Sequence, residues 1–181
     1  MEKLLSAQQV SRALSRLYRL VRSHLPAEGP LAVIGIRTRG EILAQRIVER
    51  LRARRKDPVE HGVLDITFYR DDLSLRKGMP LVRATEIDFE LDDKVVLLVD
   101  DVLQTGRSIR AALDAIADFG RPKAIRLAVL IDRGGRELPI AADIVGATVQ
   151  APADARVQVH LKEHDGDDGV YLIKSRKPAR K

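Results

Sequence analysis

The chain has 181 residues, 45% hydrophobic and 32% charged, a balance that excludes fibrous and disordered proteins and favours one globular domain. Its 32 basic and 26 acidic residues give a net charge of +6, which suggests a polyanionic partner. No apolar run reaches the roughly 20 residues of a membrane helix, and the N-terminus lacks the apolar core of a signal peptide. We expect a cytoplasmic protein with no membrane attachment, forming one domain over residues 1–174 with a basic tail at 175–181.

Cysteine, asparagine and tryptophan are absent from the sequence. Without cysteine there are no disulfides and no thiolate chemistry, which agrees with a cytoplasmic protein. The loss of thermolabile side chains while many charges are kept is typical of thermophilic proteins, although biased codon usage produces the same pattern.

Helices are predicted where apolar residues recur at spacings of three and four, and strands where apolar runs are short and continuous or alternating. In chain order the patterns give a helix at 8–25, a strand at 31–36, a helix at 41–55, a strand at 63–69, a charged loop at 70–80, a strand at 94–99, a helix at 107–119, and strands at 124–131, 144–149, 156–161 and 170–174. This alternation indicates an α/β fold on a mostly parallel sheet, with ligands expected beyond the carboxyl ends of the strands.

The segment after the strand at 94–99 carries the most information about chemistry. Asp100 and Asp101 are followed by a small-residue turn at 104–108 that opens a helix. Backbone N–H groups in such a turn and at a helix N-terminus favour a phosphate, and carboxylates accept hydrogen bonds from sugar hydroxyls or bind Mg²⁺. The combination predicts a sugar phosphate ligand. The alternative is an ordinary helix cap beside an unrelated acidic pair.

The stretch VVLLVDDVLQTGRS resembles the 5-phosphoribosyl-1-diphosphate (PRPP) signature of type I phosphoribosyltransferases. With GIRTRG, ITFYRDDLS and AVLIDRGGRELPI around it, the chain from residue 10 to about residue 161 resembles the PyrR family. Members of this family are bifunctional pyrimidine-operon attenuation regulators and uracil phosphoribosyltransferases. The resemblance implies a type I phosphoribosyltransferase fold, a mostly parallel sheet flanked by helices with a small hood from the terminal segments. It also implies Mg²⁺-dependent formation of UMP and diphosphate from uracil and PRPP.

The same resemblance implies a site with carboxylates and arginines but no nucleophile. Asp100 and Asp101 would bind the ribose hydroxyls and Mg²⁺ and would act in catalysis with Arg39 and Arg70. The loop at 37–40 would bind pyrophosphate, and its backbone in this superfamily often includes a non-proline cis peptide. The PRPP-binding residues would be Arg37, Thr38, Arg39, Gly40, Asp100, Asp101, Val102, Leu103, Gln104, Thr105, Gly106, Arg107 and Ser108.

Two further segments receive roles from the resemblance. One would border the uracil base, and the other would begin a flexible loop that closes over PRPP. For Arg70 and the arginines of the 37–40 loop, the alternative is an ordinary solvated surface. The base-binding residues would be Ile131, Asp132 and Arg133, and the flexible-loop residues would be Tyr69, Arg70 and Asp71.

Between Glu2 and Glu28 there is no acidic residue, and four polar residues form one stripe of the first predicted helix. The stripe alone favours an ordinary solvated helix face, but PyrR proteins bind a structured leader RNA through a basic surface that dimerisation makes continuous. The resemblance therefore implies RNA binding and a homodimer or higher homo-oligomer. The predicted RNA-binding residues are Arg12, Ser15, Arg16, Arg19 and Arg136.

The expected partners are PRPP, uracil, UMP or UTP, and the leader mRNA of the pyrimidine operon. UMP or UTP would act as effector by occupying the PRPP site. Two alternatives stay open at this stage. One is a purine-type phosphoribosyltransferase that uses hypoxanthine, and the other is an RNA-binding regulator whose nucleotide site senses without catalysing.

Overall fold

The computed structural model describes residues 1–71 and 84–174. Most of the predicted loop at 70–80 and the predicted tail at 175–181 lie outside these residues. No helix within them is both long and apolar enough to cross a membrane. The elements are β1 (Glu2–Leu5), α1 (Ala7–His24), β2 (Leu31–Ile36), α2 (Arg39–Arg52), β3 (Val59–Leu64), a 3-10 turn (Thr67–Tyr69), β4 (Val95–Leu103), α3 (Arg107–Ala117), β5 (Ala124–Asp132), β6 (Ile144–Thr148), β7 (Ala155–His160), α4 (Lys162–Asp165) and β8 (Gly169–Lys174).

Five strands form a parallel sheet in the order β3-β2-β4-β5-β6. All six residues of β2 are buried, as expected for a strand that is covered on both faces. Neighbouring side chains of β2 point into separate cores: Val33 packs with α1 and α2, whereas Ile34 packs with α3. The sheet and its flanking helices confirm the predicted fold class.

Helix α1 begins at Ala7 because a reciprocal cap holds its first turn. The Gln9 side chain accepts a hydrogen bond from the Ser6 N–H at 2.8 Å, and the Ser6 hydroxyl accepts one from the Gln9 N–H at 3.4 Å. Its buried face presses Leu17 and Val21 against the sheet. The opposite face of α1 therefore remains in solvent.

A second sheet comes from the two ends of the chain and forms the predicted hood. Its three antiparallel strands have the order β1-β8-β7. Strand β1 was not predicted, because its four residues are too few to show a strand period.

Two predicted strand positions are wrong. The strand predicted at 63–69 is β3, and it ends at Leu64 because its partner β2 ends at Ile36, directly opposite. Beyond it, the Asp65 carboxylate accepts a hydrogen bond from the Thr67 N–H at 2.8 Å and turns the chain. The strand predicted at 94–99 continues to Leu103, because β5 pairs with it as far as Asp132.

Two glycines let α2 begin directly against the sheet. A Cβ atom on Gly35 would lie 2.5 Å from the Cα of Glu41, and one on Gly40 would lie 2.5 Å from the carbonyl oxygen of Val99. Both neighbours are backbone atoms, which cannot rotate away as a side chain does. The close approach places the 37–40 loop beside the end of β4.

We expect Gly35→Ala to lower the free energy of unfolding by about 1–3 kcal/mol, because the added methyl group forces α2 away from β2. Denaturant unfolding measures this decrease. Gly62→Ala on the edge strand β3 is the control and should cost less, since its Cβ would lie 3.0 Å from the movable side chain of Ile87 and 3.2 Å from the nearest backbone atom, the carbonyl oxygen of Glu86. Equal decreases in the two variants would contradict the close-packing argument.

Candidate active site

A cavity of about 610 Å³ opens at the carboxyl ends of β2 and β4 and extends to the hood strand β7. Ligands of parallel α/β sheets bind at this edge. The walls are formed by residues 36–39, 65–67, 70, 100–106, 108, 109 and 156–158.

The turn from β4 into α3 has the geometry of an anion site. Gly106 takes a left-handed conformation with φ of 90°, which favours glycine, and stands at the N-cap of α3 without a side-chain cap. The Arg107 N–H, the first of α3, donates to the Thr105 hydroxyl at 3.3 Å, whereas the next N–H groups of the first turn and the positive helix end are available to an anion. Behind the turn, the carbonyl oxygen of Thr105 accepts hydrogen bonds from the Glu137 and Leu138 N–H groups at 3.0 Å, which fixes its shape.

Asp100 and Asp101 lie in the last part of β4, on the floor of the cavity. Asp100 is only 7% exposed, and one of its oxygens accepts a hydrogen bond from the Asp101 N–H at 2.8 Å. Burial, and after it the charge of Asp101, raises the pKa of Asp100 well above its ordinary value, with the positive charge of Arg70 opposing that rise. Burial also raises the pKa of Asp101, against the hydrogen bond with Asp100 and the charge of Arg39. The two carboxylates are poorly hydrated, so hydrogen-bond donors or a cation supplied by a ligand would stabilise them.

The 37–40 loop joins β2 to α2 and faces the acid pair. Its Arg37–Thr38 peptide bond is cis, as the family resemblance implies. Arg37 donates to Glu41 at 3.1 Å, to Glu86 at 2.5 Å and to the Ala84 carbonyl at 3.0 Å, which ties the loop to residues 84–86. Arg37, Thr38 and Arg39 line the cavity, and the Arg37 guanidinium is engaged in these three contacts.

The three residues predicted to border the base do not lie on the cavity walls. Ile131 is fully buried inside the sheet, and Asp132 accepts hydrogen bonds from Arg136 at 2.6 Å and from the Gly134 N–H at 2.9 Å. Arg133 is buried and donates to the Pro152 carbonyl at 2.8 Å, so it supports the segment that leads into β7.

Strand β7 lines the cavity through Arg156, Val157 and Gln158, which were not among the predicted site residues. Sequence reasoning missed them because their alternation indicates only a strand, and no local motif brings a distant hood strand to the cavity. Residues 65–67 were missed because the alternating pattern at 63–69 predicted a strand there rather than a turn after β3.

Of the three predicted flexible-loop residues, only Arg70 lines the cavity. The Tyr69 hydroxyl donates to Asp118, and Asp71 accepts a hydrogen bond from Arg107 at 2.5 Å. Arg107 also donates to Glu137 at 2.7 Å, so its side chain lies outside the cavity and only its backbone belongs to the turn.

The predicted RNA-binding residues separate into two groups. Arg12, Ser15, Arg16 and Arg19 are exposed on α1, opposite its buried face. Arg136 does not share that face: it donates to the Ile140 carbonyl at 2.9 Å, to the Gln104 carbonyl at 3.0 Å and to Asp132. Its guanidinium thus makes contacts inside the fold and holds the turn at 104–108. The placement of Arg136 gives no support to a role in RNA binding.

Residues 1–163 match the phosphoribosyl transferase domain family. The bifunctional protein PyrR of Roseiflexus sp. strain RS-1 is 49% identical, over 96% of this chain and 96% of that protein. The chain belongs to the PyrR family. The PyrR protein of Deinococcus radiodurans is also 49% identical, over 94% of this chain and 93% of that one.

Solved structures share the fold of this PyrR family member. The hypoxanthine phosphoribosyltransferase of Trypanosoma cruzi, in complex with the product IMP, aligns with a TM-score of 0.64 over 96% of this chain and 90% of that chain, at 16% identity. The purine phosphoribosyltransferase of Pyrococcus horikoshii aligns with a TM-score of 0.60 over 81% and 86% of the two chains, at 27% identity. Both likenesses confirm the predicted phosphoribosyltransferase fold.

The acid pair fits a metal ion that arrives with its ligand. Mg²⁺ prefers oxygen ligands and is usually bound by one or two carboxylates together with substrate phosphates and water. Asp100 and Asp101 supply two carboxylates at the cavity, and no larger group of His, Cys, Asp and Glu that could hold a metal occurs in the part of the chain that the structure describes. Asp100 and Asp101 are therefore the residues that would hold a Mg²⁺ ion.

We expect Asp100→Asn to raise the Tm of the ligand-free protein by about 2–4 °C at pH 7, the shift that about 1 kcal/mol produces in a chain of this size. Folding raises the pKa of Asp100, so an ionised carboxylate destabilises the folded protein above that pKa. The penalty, and with it the gain in Tm, should vanish as the pH falls below the ordinary pKa of aspartate.

Thermal unfolding between pH 3 and pH 8 measures the shift. Asp154→Asn is the control, because Asp154 is exposed and its replacement should change the Tm little at any pH. An Asp100→Asn protein that is less stable than the wild type at pH 7 would contradict the electrostatic account.

Proposed function

We propose that this chain converts uracil and PRPP into UMP and diphosphate and binds pyrimidine-operon leader mRNA in a uridine-nucleotide-dependent way. One observation carries the enzymatic half: a phosphate turn at 104–108 and the carboxylates of Asp100 and Asp101 share one cavity with the 37–40 loop. The PyrR relatives, which are named bifunctional, support the combination of the two roles.

The three parts of the cavity match the three parts of PRPP. In our proposal the N–H groups of the 104–108 turn bind the 5′-phosphate, and Asp100 and Asp101 accept hydrogen bonds from the ribose hydroxyls. The 37–40 loop then faces the diphosphate. Desolvated carboxylates are strong acceptors, so the hydroxyls relieve the unfavourable burial of the pair.

In the proposed reaction, the bond between ribose C1′ and the diphosphate oxygen breaks, a bond between C1′ and uracil N1 forms, and the proton of N1 passes to the departing diphosphate. Negative charge grows on the departing diphosphate, where Arg39 and Arg70 stand on the cavity wall. The chemistry that Mg²⁺ supplies there is further neutralisation of that charge. No nucleophile from the protein is required, since uracil N1 itself forms the bond to C1′ while the carboxylates orient the ribose.

The proposed enzyme differs from a purine phosphoribosyltransferase in the base that it uses. Purine enzymes share the fold, but a fold alone does not define the base. The PyrR relatives, at 45–49% identity, favour uracil. We propose that the wall at 156–158 contacts the base, because these hood residues line the same cavity as the acid pair.

An assay that offers several nucleobases separately tests which base the protein uses. With PRPP and Mg²⁺ present and uracil, hypoxanthine, guanine, adenine and orotate offered separately, we expect nucleotide from uracil alone. Chromatography of the products measures it. IMP or GMP as the main product would assign the chain to the purine enzymes, and no product from any base would favour a regulator with a non-catalytic site.

For RNA binding we propose the exposed face of α1. Arg12, Arg16 and Arg19 make no ion pair within residues 1–71 and 84–174, so their charges are not neutralised by the described part of the chain. With 3% aromatic residues, recognition of RNA shape and backbone is more plausible than base stacking. A homodimer or higher homo-oligomer would extend this face, and the mRNA partner implies a cytoplasmic protein.

We expect Arg16→Gln with Arg19→Gln to weaken leader RNA binding, because each arginine that bonds a phosphate releases a counterion from the RNA. The slope of log K against log salt concentration should fall by about 1 for each phosphate that is no longer bound. Filter binding at several salt concentrations measures both effects. Arg121→Gln, at an exposed residue beyond α3, is the matched control. An unchanged salt slope in the α1 variant would overturn the assignment of this face.

A further inference from the structure

The guanidinium of Arg39 is held by a carboxylate from the hood. Its Nε donates to one oxygen of Asp165 at 3.0 Å, and its Nη2 donates to the other at 2.5 Å. Such a two-point contact fixes the plane of the guanidinium as well as its position. Asp165 is itself anchored, since it accepts a hydrogen bond from the Leu161 N–H at 2.9 Å.

This contact is well shielded from solvent. The side chain of Arg39 is 20% exposed and that of Asp165 only 10%. Burial alone would raise the pKa of Asp165, but the hydrogen bonds from Arg39 and from Leu161 lower that pKa below its ordinary value. The carboxylate is therefore ionised throughout the neutral range, and the pair is charged on both sides.

Arg39 belongs to the cavity while Asp165 does not. Arg39 lines the cavity wall, and its positive charge opposes the rise in the pKa of Asp101 that burial causes. Within the residues that the structure describes, no acceptor takes a hydrogen bond from Nη1 of Arg39. The two hydrogen bonds to Asp165 thus use the Nε and Nη2 edge of the guanidinium and leave Nη1 for a ligand.

A second contact joins the same helix to the same part of the hood without touching the site. Seven residues after Arg39, and so on the same face of α2, Arg46 donates to Glu163 at 2.7 Å and to Asp168 at 3.3 Å. Arg46 does not line the cavity. Glu163 lies two residues from Asp165 on α4. The contacts Arg39–Asp165 and Arg46–Glu163 therefore join the same two elements, but only the first involves an arginine that lines the cavity.

We propose that Asp165 is a positioning residue that orients Arg39 toward the diphosphate of PRPP, an inference that rests on the proposed function. A free arginine loses rotamer freedom when it binds a ligand, and a guanidinium already held in one plane loses less. UMP carries the 5′-phosphate and the ribose but no diphosphate. The proposal therefore predicts an effect of Asp165 on PRPP and diphosphate that UMP does not share.

Isothermal titration of Asp165→Asn and Glu163→Gln with Mg²⁺–PRPP, Mg²⁺–diphosphate and UMP tests this proposal. Asparagine keeps an oxygen for the Leu161 N–H, so the turn at α4 is preserved. We expect Asp165→Asn to weaken binding of PRPP and diphosphate about tenfold and to change UMP binding less than about twofold. Glu163→Gln should bind all three ligands as the wild type does.

Arg39→Lys completes a double-mutant cycle, because lysine keeps the charge but cannot form the two-point contact. If Asp165 acts through Arg39, adding Asp165→Asn to Arg39→Lys should weaken PRPP binding by less than about twofold more. Additive effects in the cycle, equal weakening for PRPP and UMP, or tighter PRPP binding in Asp165→Asn would overturn the role of Asp165 alone. A wild-type protein that binds UMP but not PRPP would overturn the proposed enzymatic function and this inference with it.

Discussion

The active site depends on one constraint, which is that β4 carries two adjacent carboxylates into the interior of a parallel sheet. The pairing of β4 with β5 continues past Asp100 and ends with Leu103 opposite Asp132. The chain therefore remains extended at Asp100 and Asp101, where two ionised groups would otherwise favour solvent. That extension fixes where β4 turns into α3, and therefore where the phosphate turn and the positive end of α3 stand relative to the acids. Moving the acids into a solvated loop would relieve their burial and separate them from the anion site.

Several other features are consequences of this placement. The close contact of Gly40 with the Val99 carbonyl brings the 37–40 loop to the acid pair, and the arginines near the pair supply the positive charge that its burial requires. Interior polar contacts then fix the surroundings: Arg136 holds the phosphate turn from behind, and Arg133 supports the chain that enters β7. The site is thus stabilised by groups that lie outside the cavity, while its own carboxylates reduce the stability of the fold.

The sequence predicted those elements whose residues lie next to one another in the chain. Buried apolar runs indicated β2, β4 and β5, and the acid pair followed by a glycine turn indicated the phosphate site, because these features lie within a few residues of one another. Long-range contacts were beyond such reasoning. Strand β3 ends where its partner β2 ends, and the 156–158 wall comes from the hood. Arg133 donates to the Pro152 carbonyl and Arg136 to the Gln104 carbonyl, which are 19 and 32 residues away in sequence. The side chains of Asp132 and Arg133 make contacts within the fold, and the base-binding role of 131–133 stays a prediction.

The most direct test of this account is a crystal structure of the protein with UMP. The account predicts the 5′-phosphate within hydrogen-bonding distance of the N–H groups of the 104–108 turn, with both ribose hydroxyls on Asp100 and Asp101 and the base against the wall at 156–158. A phosphate bound at the 37–40 loop, or a ribose that makes no contact with the two carboxylates, would contradict it.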